Sequence, residues 1–269
     1  MGDDRPIGVF DSGAGGLTVL RAIRDRLPLE RTIYVGDHLH FPYGPRYQHE
    51  VKGFAFDIIR YLESRDVKLV VIACNTATAA ALNQAREVFD VPIVGVISPG
   101  AQAAVEATRR GLVGVISTEG TRMSQEYLHA IKEIDPMVGV YQKACPELVD
   151  IVEAGEADSP RAEEALRRDL AEVADLRVDV LVLGCTHYPL LKPAIERVYP
   201  HAFTLVDSAD TTAGMVERRL DHARMRAESG DGTPDHELLV TAVPDRFDEV
   251  AQILFGSRVP EVRQISLWD

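Results

Sequence analysis

The chain has 269 residues, 46% of them hydrophobic and 26% charged, and its formal net charge is −13 at pH 7. This length and composition are typical of a soluble globular protein with one large domain or two of ordinary size. The acidic balance disfavours nonspecific nucleic-acid binding, which needs a basic face, and no apolar run reaches the roughly 18–20 residues of a membrane helix.

The amino-terminal stretch MGDDRPIGVFDSG enters a predicted strand without a basic region followed by an apolar core, so no secretory signal is expected. Three cysteines, an odd number, argue against a disulfide framework. These features predict a cytoplasmic protein whose cysteines are core residues, metal ligands or nucleophiles.

Short β-branched runs alternate with longer amphipathic segments along the chain. Strands are predicted at 7–11, 33–37, 69–73, 93–97, 113–117, 138–142, 180–184 and 203–207. Helical periodicity lies between most of them, as at 17–27, 46–65 and 121–134. Strands separated by helices form βαβ units, so we expect an α/β fold with mainly parallel sheets.

The carboxyl-terminal part of the chain continues this pattern after a polar stretch. Residues 227–236, AESGDGTPDH, predict an exposed loop. ELLVTA then predicts a strand, DRFDEVAQILFG a helix, and VRQISLW a last edge strand.

The sequence also resembles itself. IGVFDSGAGGLT (7–18) resembles VGVISTEGTRMS (113–124), and LVVIACNTAT (69–78) resembles VLVLGCTHYP (180–189). The two offsets are 106 and 111 residues. Two matches at similar offsets predict two similar α/β lobes.

Cys74 and Cys185 occupy matching places in this repeat, because each ends an apolar strand and opens a predicted helix. Sites in doubly wound sheets lie at the carboxyl ends of strands, and a helix dipole lowers the pKa of a thiol. A buried cysteine that fills a small space is the alternative, but two in matching frames favour a function. Asn75, Thr76 and Thr186 follow directly, where they either cap a helix or bind a ligand.

Other patterns carry weaker signals. The four-ligand spacing of a zinc site is absent, although His187 lies near Cys185, so no metal is predicted. Cys145, in KACPELV, has no counterpart in the repeat and is interpreted as a packing or helix-entry residue. Glu153 is predicted near a helix end, where it or His187 is able to set the protonation state of a thiol.

Two loops are candidates for binding. FDSGAGG (10–16) is neither of the usual phosphate-binding patterns. Asp11 is expected to face the crevice, with Ser12 and the glycine N–H groups holding a carboxylate or amine; a turn capped by Asp11 is the alternative. In FPYGPR (41–46), Tyr43 and Gly44 either line a pocket or form an ordinary turn.

The two thiols together favour a particular chemistry. One thiol with a histidine is typical of nucleophilic acyl transfer, whereas two facing thiols are suited to taking a proton from one face of a stereocentre and returning one to the other. The usual cofactor for such chemistry, pyridoxal phosphate, needs a Schiff-base lysine, and none of the five lysines stands in an obvious cofactor motif.

The segments GVFDSGAGGLTVL, FPYGPR, VIACNTAT and VLGCTHYPLL together resemble bacterial glutamate racemases of the aspartate/glutamate racemase superfamily, over about residues 5–220. The resemblance implies cofactor-independent interconversion of L- and D-glutamate, which supplies D-glutamate to peptidoglycan. It implies two pseudo-symmetric αβα lobes, 1–97 plus 208–269 and 98–207, with the active site in the cleft between them. It also implies a cytoplasmic homodimer that uses neither metal nor cofactor.

The resemblance further implies the roles of individual residues. Cys74 acts on the D-isomer and Cys185 on the L-isomer, Asp11 and His187 assist the thiols, and Glu153 is a supporting carboxylate. The implied substrate contacts are Asp11, Ser12, Pro42, Tyr43, Gly44, Asn75, Thr76, Thr118, Thr121, Thr186 and His187.

The sequence departs from the family pattern at several points and leaves alternatives open. GDHLHFPYG stands where GDTAR-PYG is more usual, DSADTTA (207–213) stands where SSAEETA is often found, and Ser117 replaces a glycine. A relative that acts on aspartate, a hydantoin or a malonate is one alternative, and a binding protein of the same fold is another. The intact cysteine pair argues against the binding protein.

Overall fold

The computed structural model describes residues 2–228, 234–242, 247–256 and 260–268. Its strands are β1 (Ile7–Asp11), β2 (Thr32–Gly36), β3 (Leu69–Ile72), β4 (Ile93–Gly95), β5 (Leu112–Ser117), β6 (Gly139–Ala144), β7 (Val180–Gly184), β8 (Thr204–Asp207), β9 (His236–Val240) and β10 (Val262–Gln264). Its helices are α1 (Leu17–Arg26), α2 (Gln48–Ser64), α3 (Asn75–Val88), α4 (Ile97–Ala107), α5 (Glu119–Ser124), α6 (Glu126–Ile134), α7 (Glu147–Glu153), α8 (Pro160–Asp175), α9 (Lys192–Val198), α10 (Ser208–Ala223) and α11 (Phe247–Phe255). A 3₁₀ turn, Tyr188–Leu191, precedes α9.

The strands form two sheets, and every described strand pair is parallel. The first sheet has the order β10-β9-β2-β1-β3-β4, and the second has the order β6-β5-β7-β8. The order β2-β1-β3-β4 in the first sheet is therefore repeated as β6-β5-β7-β8 in the second. The two similar lobes that the sequence repeat predicts are present, with β9 and β10 added to the edge of the first.

Each sheet is covered by helices on both faces because its strands bury alternate side chains on opposite sides. On the first sheet, Val9 packs with one apolar cluster, beside α1 and α10, and Phe10 packs with the other, beside α2 and α3. On the second sheet, Leu183 packs towards α7, α8 and α9, while Val182 packs towards α4 and α6. The predicted α/β class with two αβα lobes is confirmed.

Two helix predictions are wrong. The predicted helix at 121–134 is two helices, α5 and α6, because Gln125 between them adopts a left-handed backbone with φ of 61°. Cys185 does not open an α-helix; it lies at a bend and is followed by a turn and the 3₁₀ turn, and α9 begins only at Lys192. The predicted boundaries of the eight strands between residues 7 and 207 agree with the observed ones to within two residues.

The carboxyl-terminal predictions are met where residues are described. The strand, helix and edge strand predicted after residue 236 correspond to β9, α11 and β10, but β10 ends at Gln264, four residues before the predicted end. Residues 229–233 of the predicted loop and 245–246 of the predicted helix lie outside the described residues. None of the helices in the described ranges is long and apolar enough to cross a membrane.

Candidate active site

A cavity of about 470 Å³ lies at the carboxyl ends of the strands, between the two lobes. Its lining residues are Ser12, Phe41, Pro42, Tyr43, Gly44, Pro45, Cys74, Asn75, Thr76, Thr118, Glu119, Pro146, Val149, Asp150, Cys185, Thr186 and His187. The structure therefore brings together most of the residues singled out in the sequence. Asp11, Thr121 and Glu153 lie behind this lining and contact residues that belong to it.

Cys74 enters the cavity from the first lobe. It follows β3 and is the N-terminal cap of α3, where its Sγ accepts a hydrogen bond from the N–H of Ala77 at 3.4 Å. Its thiol lies 3.8 Å from the hydroxyl of Ser12. Because β3 and β7 hold the same place in the repeated strand order, Cys74 and Cys185 reach the cavity from equivalent positions in the two lobes.

The surroundings of Cys185 differ from those of Cys74. Its Sγ lies 3.7 Å from Nδ1 of His187, and Nε2 of His187 lies 2.5 Å from Glu153 at the end of α7. The three side chains form a continuous chain from thiol to imidazole to carboxylate. Glu153, which sequence position alone made a weak candidate, is thus directly connected to the site.

Asp11 is fully buried and organises the glycine turn between β1 and α1. Its Oδ2 accepts hydrogen bonds from the N–H groups of Gly13 and Gly16 at 3.1 and 3.0 Å, and its Oδ1 accepts one from the Thr186 hydroxyl at 3.4 Å. The expectation that the glycine N–H groups hold a ligand is therefore wrong for Gly13 and Gly16, since Asp11 occupies both. Asp11 caps this turn and also connects it to the second lobe.

Polar side chains from both lobes contact one another beside the cavity. The hydroxyl of Thr76 lies 2.8 Å from that of Thr118 and 3.2 Å from that of Thr121. The Tyr127 hydroxyl of α6 donates to Oδ1 of Asn75 at 2.7 Å. The amide nitrogen of Asn75 is buried and has no hydrogen-bond partner among the described residues. Because a buried N–H without a partner is costly, this nitrogen is available to an acceptor on a ligand.

The electrostatics of the three buried groups differ. Burial raises the pKa of the Cys74 thiol to about 12, and the nearby Asp11 adds to this. Burial also raises the pKa of Asp11, although His187 and its hydrogen bonds oppose the shift. For His187, burial lowers the pKa, but the hydrogen bonds to Cys185 and Glu153 outweigh it, and the pKa lies well above its usual range.

The pKa of Cys74 corrects one expectation from the sequence. A helix dipole was expected to lower the pKa of Cys74, but the loss of water around the thiol has the larger effect. The raised pKa favours the protonated form of His187, and its hydrogen bonds to Cys185 and Glu153 are the cause.

Comparisons with known proteins give the family. The sequence model of Asp/Glu/Hydantoin racemase matches residues 17–216. A protein named glutamate racemase from Geobacter metallireducens is 44% identical over 264 residues, which are 98% of this chain and 97% of the relative.

The chain belongs to the Asp/Glu/Hydantoin racemase family.

Solved structures of the family agree with the fold. The crystal structure of glutamate racemase from Francisella tularensis, in complex with D-glutamate, matches with a TM-score of 0.92 and 31% identity over 98% of each chain. The glutamate racemase from Thermus thermophilus, in complex with β-chloro-D-alanine, matches with a TM-score of 0.87 and 41% identity over 99% of each chain.

Some residues of this racemase-family site were not found from the sequence. Pro146, Val149 and Asp150 line the cavity and share a face of α7 with Glu153, since residues three, four and seven apart lie together on a helix. That spacing was the available signal for this group. Phe41 and Pro45 belong to the stretch FPYGPR already singled out, and Glu119 carried no distinguishing signal.

The other cysteine lies apart from the site. Cys145 is buried beneath the second sheet with α8 and is not among the residues that line the cavity. Burial raises the pKa of its thiol to about 12, and the packing role predicted from the sequence agrees with this location. Among the described residues, no group of three or more His, Cys, Asp or Glu side chains is arranged to hold a metal ion.

Proposed function

We propose that this protein is a cofactor-independent glutamate racemase in which Cys74 and Cys185 act on opposite faces of the substrate α-carbon. The observation that carries this proposal is that the two thiols, one from each lobe, line the same cavity. A carbon atom held between them has one thiol on each side. A proton can then leave from one face and return to the other without a turn of the substrate.

The L-to-D direction begins at Cys185. The Cys185 thiolate takes the hydrogen from the α-carbon, so the C–H bond breaks and an S–H bond forms. The thiol of Cys74, which burial keeps protonated at neutral pH, then gives its proton to the opposite face. The reverse reaction uses the same steps in reverse order, with Cys74 as the base.

Three further residues assist these steps. The imidazolium of His187, held by Glu153, stabilises the Cys185 thiolate before the first step. It lies beside the substrate cavity, where a positive charge also stabilises the carbanion that forms when the proton leaves. Asp11 fixes the glycine turn of the first lobe and the Thr186 hydroxyl of the second.

Glutamate is the proposed substrate because the curated relative and the solved structures described above carry glutamate racemase names. The polar groups that line the site are suited to an amino acid, whose α-carbon carries a carboxylate. The unpartnered amide nitrogen of Asn75 and the hydroxyls of Thr76 and Thr118 line the cavity as donors for a carboxylate. The remaining predicted contacts, Ser12, Pro42, Tyr43, Gly44 and Thr121, are proposed to enclose the substrate.

The proposal includes chemistry without pyridoxal phosphate. That cofactor is bound through a lysine Schiff base. None of the five lysines of this chain is among the residues that line the cavity. The protein must instead lower the barrier by excluding water and by holding charge near the carbanion.

The decisive experiment follows hydrogen exchange in D₂O. Purified protein is incubated with L-glutamate, and separately with D-glutamate and L-aspartate, without added cofactor. Chiral chromatography with mass detection measures deuterium in each enantiomer at early times. We expect deuterium in the glutamate product while the remaining substrate stays protonated, because two separate thiols handle the two protons.

Substitutions of the cysteines test which thiols take part in the reaction. Cys74→Ser and Cys185→Ser are each expected to lower racemisation by about a hundredfold or more. Cys145→Ser is the matched control, since this cysteine does not line the cavity, and it should keep the wild-type rate. Exchange with aspartate alone would indicate a related racemase, and a folded protein that exchanges neither amino acid would support a binding function instead.

The cellular role follows from this reaction. We propose that the D-glutamate is used for peptidoglycan, and thereby for cell-wall formation and cell shape. We place the enzyme in the cytoplasm, because its mechanism needs reduced thiols and all three cysteines are free.

We also propose that the lobes comprise residues 1–97 plus 208–269 and 98–207, and that the enzyme is a homodimer that binds neither nucleic acid nor membrane. Light scattering after size-exclusion chromatography tests the dimer.

A further inference from the structure

A buried carboxylate joins three segments next to the cavity. The Asp37 side chain, just beyond β2, is fully buried. It accepts hydrogen bonds from the Tyr43 hydroxyl at 2.6 Å and the Thr241 hydroxyl at 2.8 Å, and Nδ1 of His40 lies 2.9 Å from it. A buried carboxylate is stable only when such donors surround it. Asp37 therefore connects the segment after β2 to Thr241, the residue after β9.

His40 is also held on its other side. Its ring stacks on Phe54 of α2, with the ring centroids 3.9 Å apart and the planes at 13°. The Trp268 ring meets it edge-on at 4.5 Å. Trp268 is itself fixed, because its indole N–H donates to Asp57 of α2 at 2.8 Å. The carboxyl-terminal segment after β10 thus covers His40, whose ring packs between Trp268 and α2.

His40 begins the pocket loop, defined here as residues 40–46. The Arg46 guanidinium donates to the carbonyl of His40 at 2.6 Å, and the Arg46 N–H donates to the carbonyl of Tyr43 at 3.1 Å. The loop is therefore closed on itself. Tyr43 and Gly44 at its centre line the cavity, and the carbonyl of Gly44 accepts a hydrogen bond from Gly120 of the second lobe at 2.9 Å.

From these contacts we infer that His40 is a positioning residue that fixes the pocket loop against the substrate, with Trp268 holding His40 in place. The inference rests on the proposed function for the identity of the substrate, but the contacts that carry it do not. His40 touches neither thiol and acts through Tyr43 and Gly44. The carboxyl-terminal segment, far from the cysteines in the sequence, thereby controls one wall of the cavity.

Three variants separate the hydrogen bond of His40 to Asp37 from the ring contacts of His40 with Phe54 and Trp268. His40→Phe keeps the stacked ring and removes the hydrogen bond to Asp37. His40→Asn removes the ring and keeps an N–H donor near the position of Nδ1. Trp268→Leu removes the edge-on ring and the hydrogen bond to Asp57. His129→Phe, at an exposed position of α6, is the matched control.

The kinetic readout is the division of the effect between KM and kcat. We expect His40→Phe and Trp268→Leu to raise KM for both enantiomers of glutamate about tenfold, with kcat changed less than about twofold, because the loop binds substrate and transition state alike. His40→Asn should restore part of the lost affinity relative to His40→Phe. A residue with a purely structural role would lower kcat through loss of folded enzyme and leave KM unchanged.

Amide hydrogen exchange gives a second readout that needs no activity. The N–H groups of Arg46 and Gly120, which bond to the pocket loop, should exchange at least about tenfold faster in His40→Phe, with helices α8 and α9 of the second lobe unaffected. Unchanged exchange and unchanged KM would overturn the inference, as would an equal effect of His129→Phe. If the wild type does not racemise glutamate, the proposed function fails, and the exchange rates still decide the role of His40.

Discussion

At the scale of single residues, the place of Cys74 in the fold was predictable from the sequence, whereas its pKa was not. Its position, at the end of β3 and the start of α3, was predicted from an apolar run followed by an alanine-rich segment. Its ionisation was not, since the expected effect of the helix dipole is smaller than that of burial, which raises the pKa to about 12. Burial depends on how α2, α3 and the first sheet pack around the thiol, and local sequence carries little information about it.

The raised pKa predicts how Cys74 reacts. Between pH 7 and 9.5 its rate of alkylation by iodoacetamide should rise about tenfold per pH unit, because the thiolate fraction grows tenfold per unit below the pKa. At pH 8 the rate should be at least about a hundredfold below that of glutathione. Peptide mapping by mass spectrometry measures the modification.

Alkylation in urea is the control for this prediction, since unfolding exposes Cys74 and should abolish the difference from glutathione. A Cys74 rate that levels off below pH 9 in the folded protein would show that its pKa is close to that of a free thiol. That result would contradict the effect of burial on the pKa of Cys74.

At the scale of elements, the turn between β1 and α1 is the most tightly built part of the site. A Cβ atom at Gly15 would lie 2.5 Å from the Thr186 hydroxyl and 2.7 Å from the His187 ring. A Cβ atom at Gly16 would lie 2.3 Å from the Cβ of Asp11. Gly15 allows the first lobe to approach residues next to Cys185, and Gly16 allows the turn to lie close to Asp11, which explains the glycines at these two positions.

Gly15→Ala should therefore lower kcat/KM by about a hundredfold or more, because a misplaced catalytic group is costly even at small displacements. Gly53→Ala is the contrasting variant, since a Cβ at this position of α2 meets no atom within 4 Å. It should raise the free energy of unfolding by about 0.5–1 kcal/mol and leave activity unchanged. Steady-state kinetics and urea denaturation measure both, and full activity in Gly15→Ala would contradict the close approach of the lobes.

Element boundaries were predictable where hydrophobic pattern decides them. The strands before the two cysteines are apolar and buried, and they were located from composition alone. The break at Gln125 was not, because no glycine or proline marks it and the left-handed backbone is adopted by a glutamine. Nor did the sequence distinguish a 3₁₀ turn after Cys185 from an α-helix, since both carry apolar residues at similar spacing.

At the scale of the whole molecule, polar contacts across the cavity join the two lobes. The Tyr127 hydroxyl reaches Asn75, and the Thr18 hydroxyl lies 3.3 Å from the carbonyl of Thr186. The α4 and α10 helices also pack against each other across the boundary. We therefore expect the lobes to unfold together.

Tyr127→Phe tests this coupling because it leaves the buried carbonyl oxygen of Asn75 without that donor. The loss should cost about 1–3 kcal/mol and lower the melting temperature by several degrees, while differential scanning calorimetry still shows one transition. Tyr47→Phe, at a side chain that is 74% exposed, should leave the melting temperature unchanged. Two separate transitions in the wild type would contradict the coupling.

The duplication was visible in the sequence because strands and the turns after them keep their residues in both copies. The identical strand order of the two sheets agrees with it. What the repeat did not predict is the contribution of the carboxyl-terminal segment, whose Trp268 lies against His40. Contacts between segments so distant in the chain depend on the packed fold and leave no local pattern.

The unequal surroundings of the two thiols have a thermodynamic consequence. Cys74 has a hydroxyl neighbour, whereas Cys185 has an imidazole and a carboxylate. The two enantiomers of an amino acid have equal free energies in water, so the Haldane relation requires equal kcat/KM in the two directions. The asymmetry can therefore appear only as a matched difference, in which the enantiomer with the larger kcat also has the larger KM. A duplicated protein whose halves have diverged can thus set how tightly it holds each mirror image, but never which one accumulates.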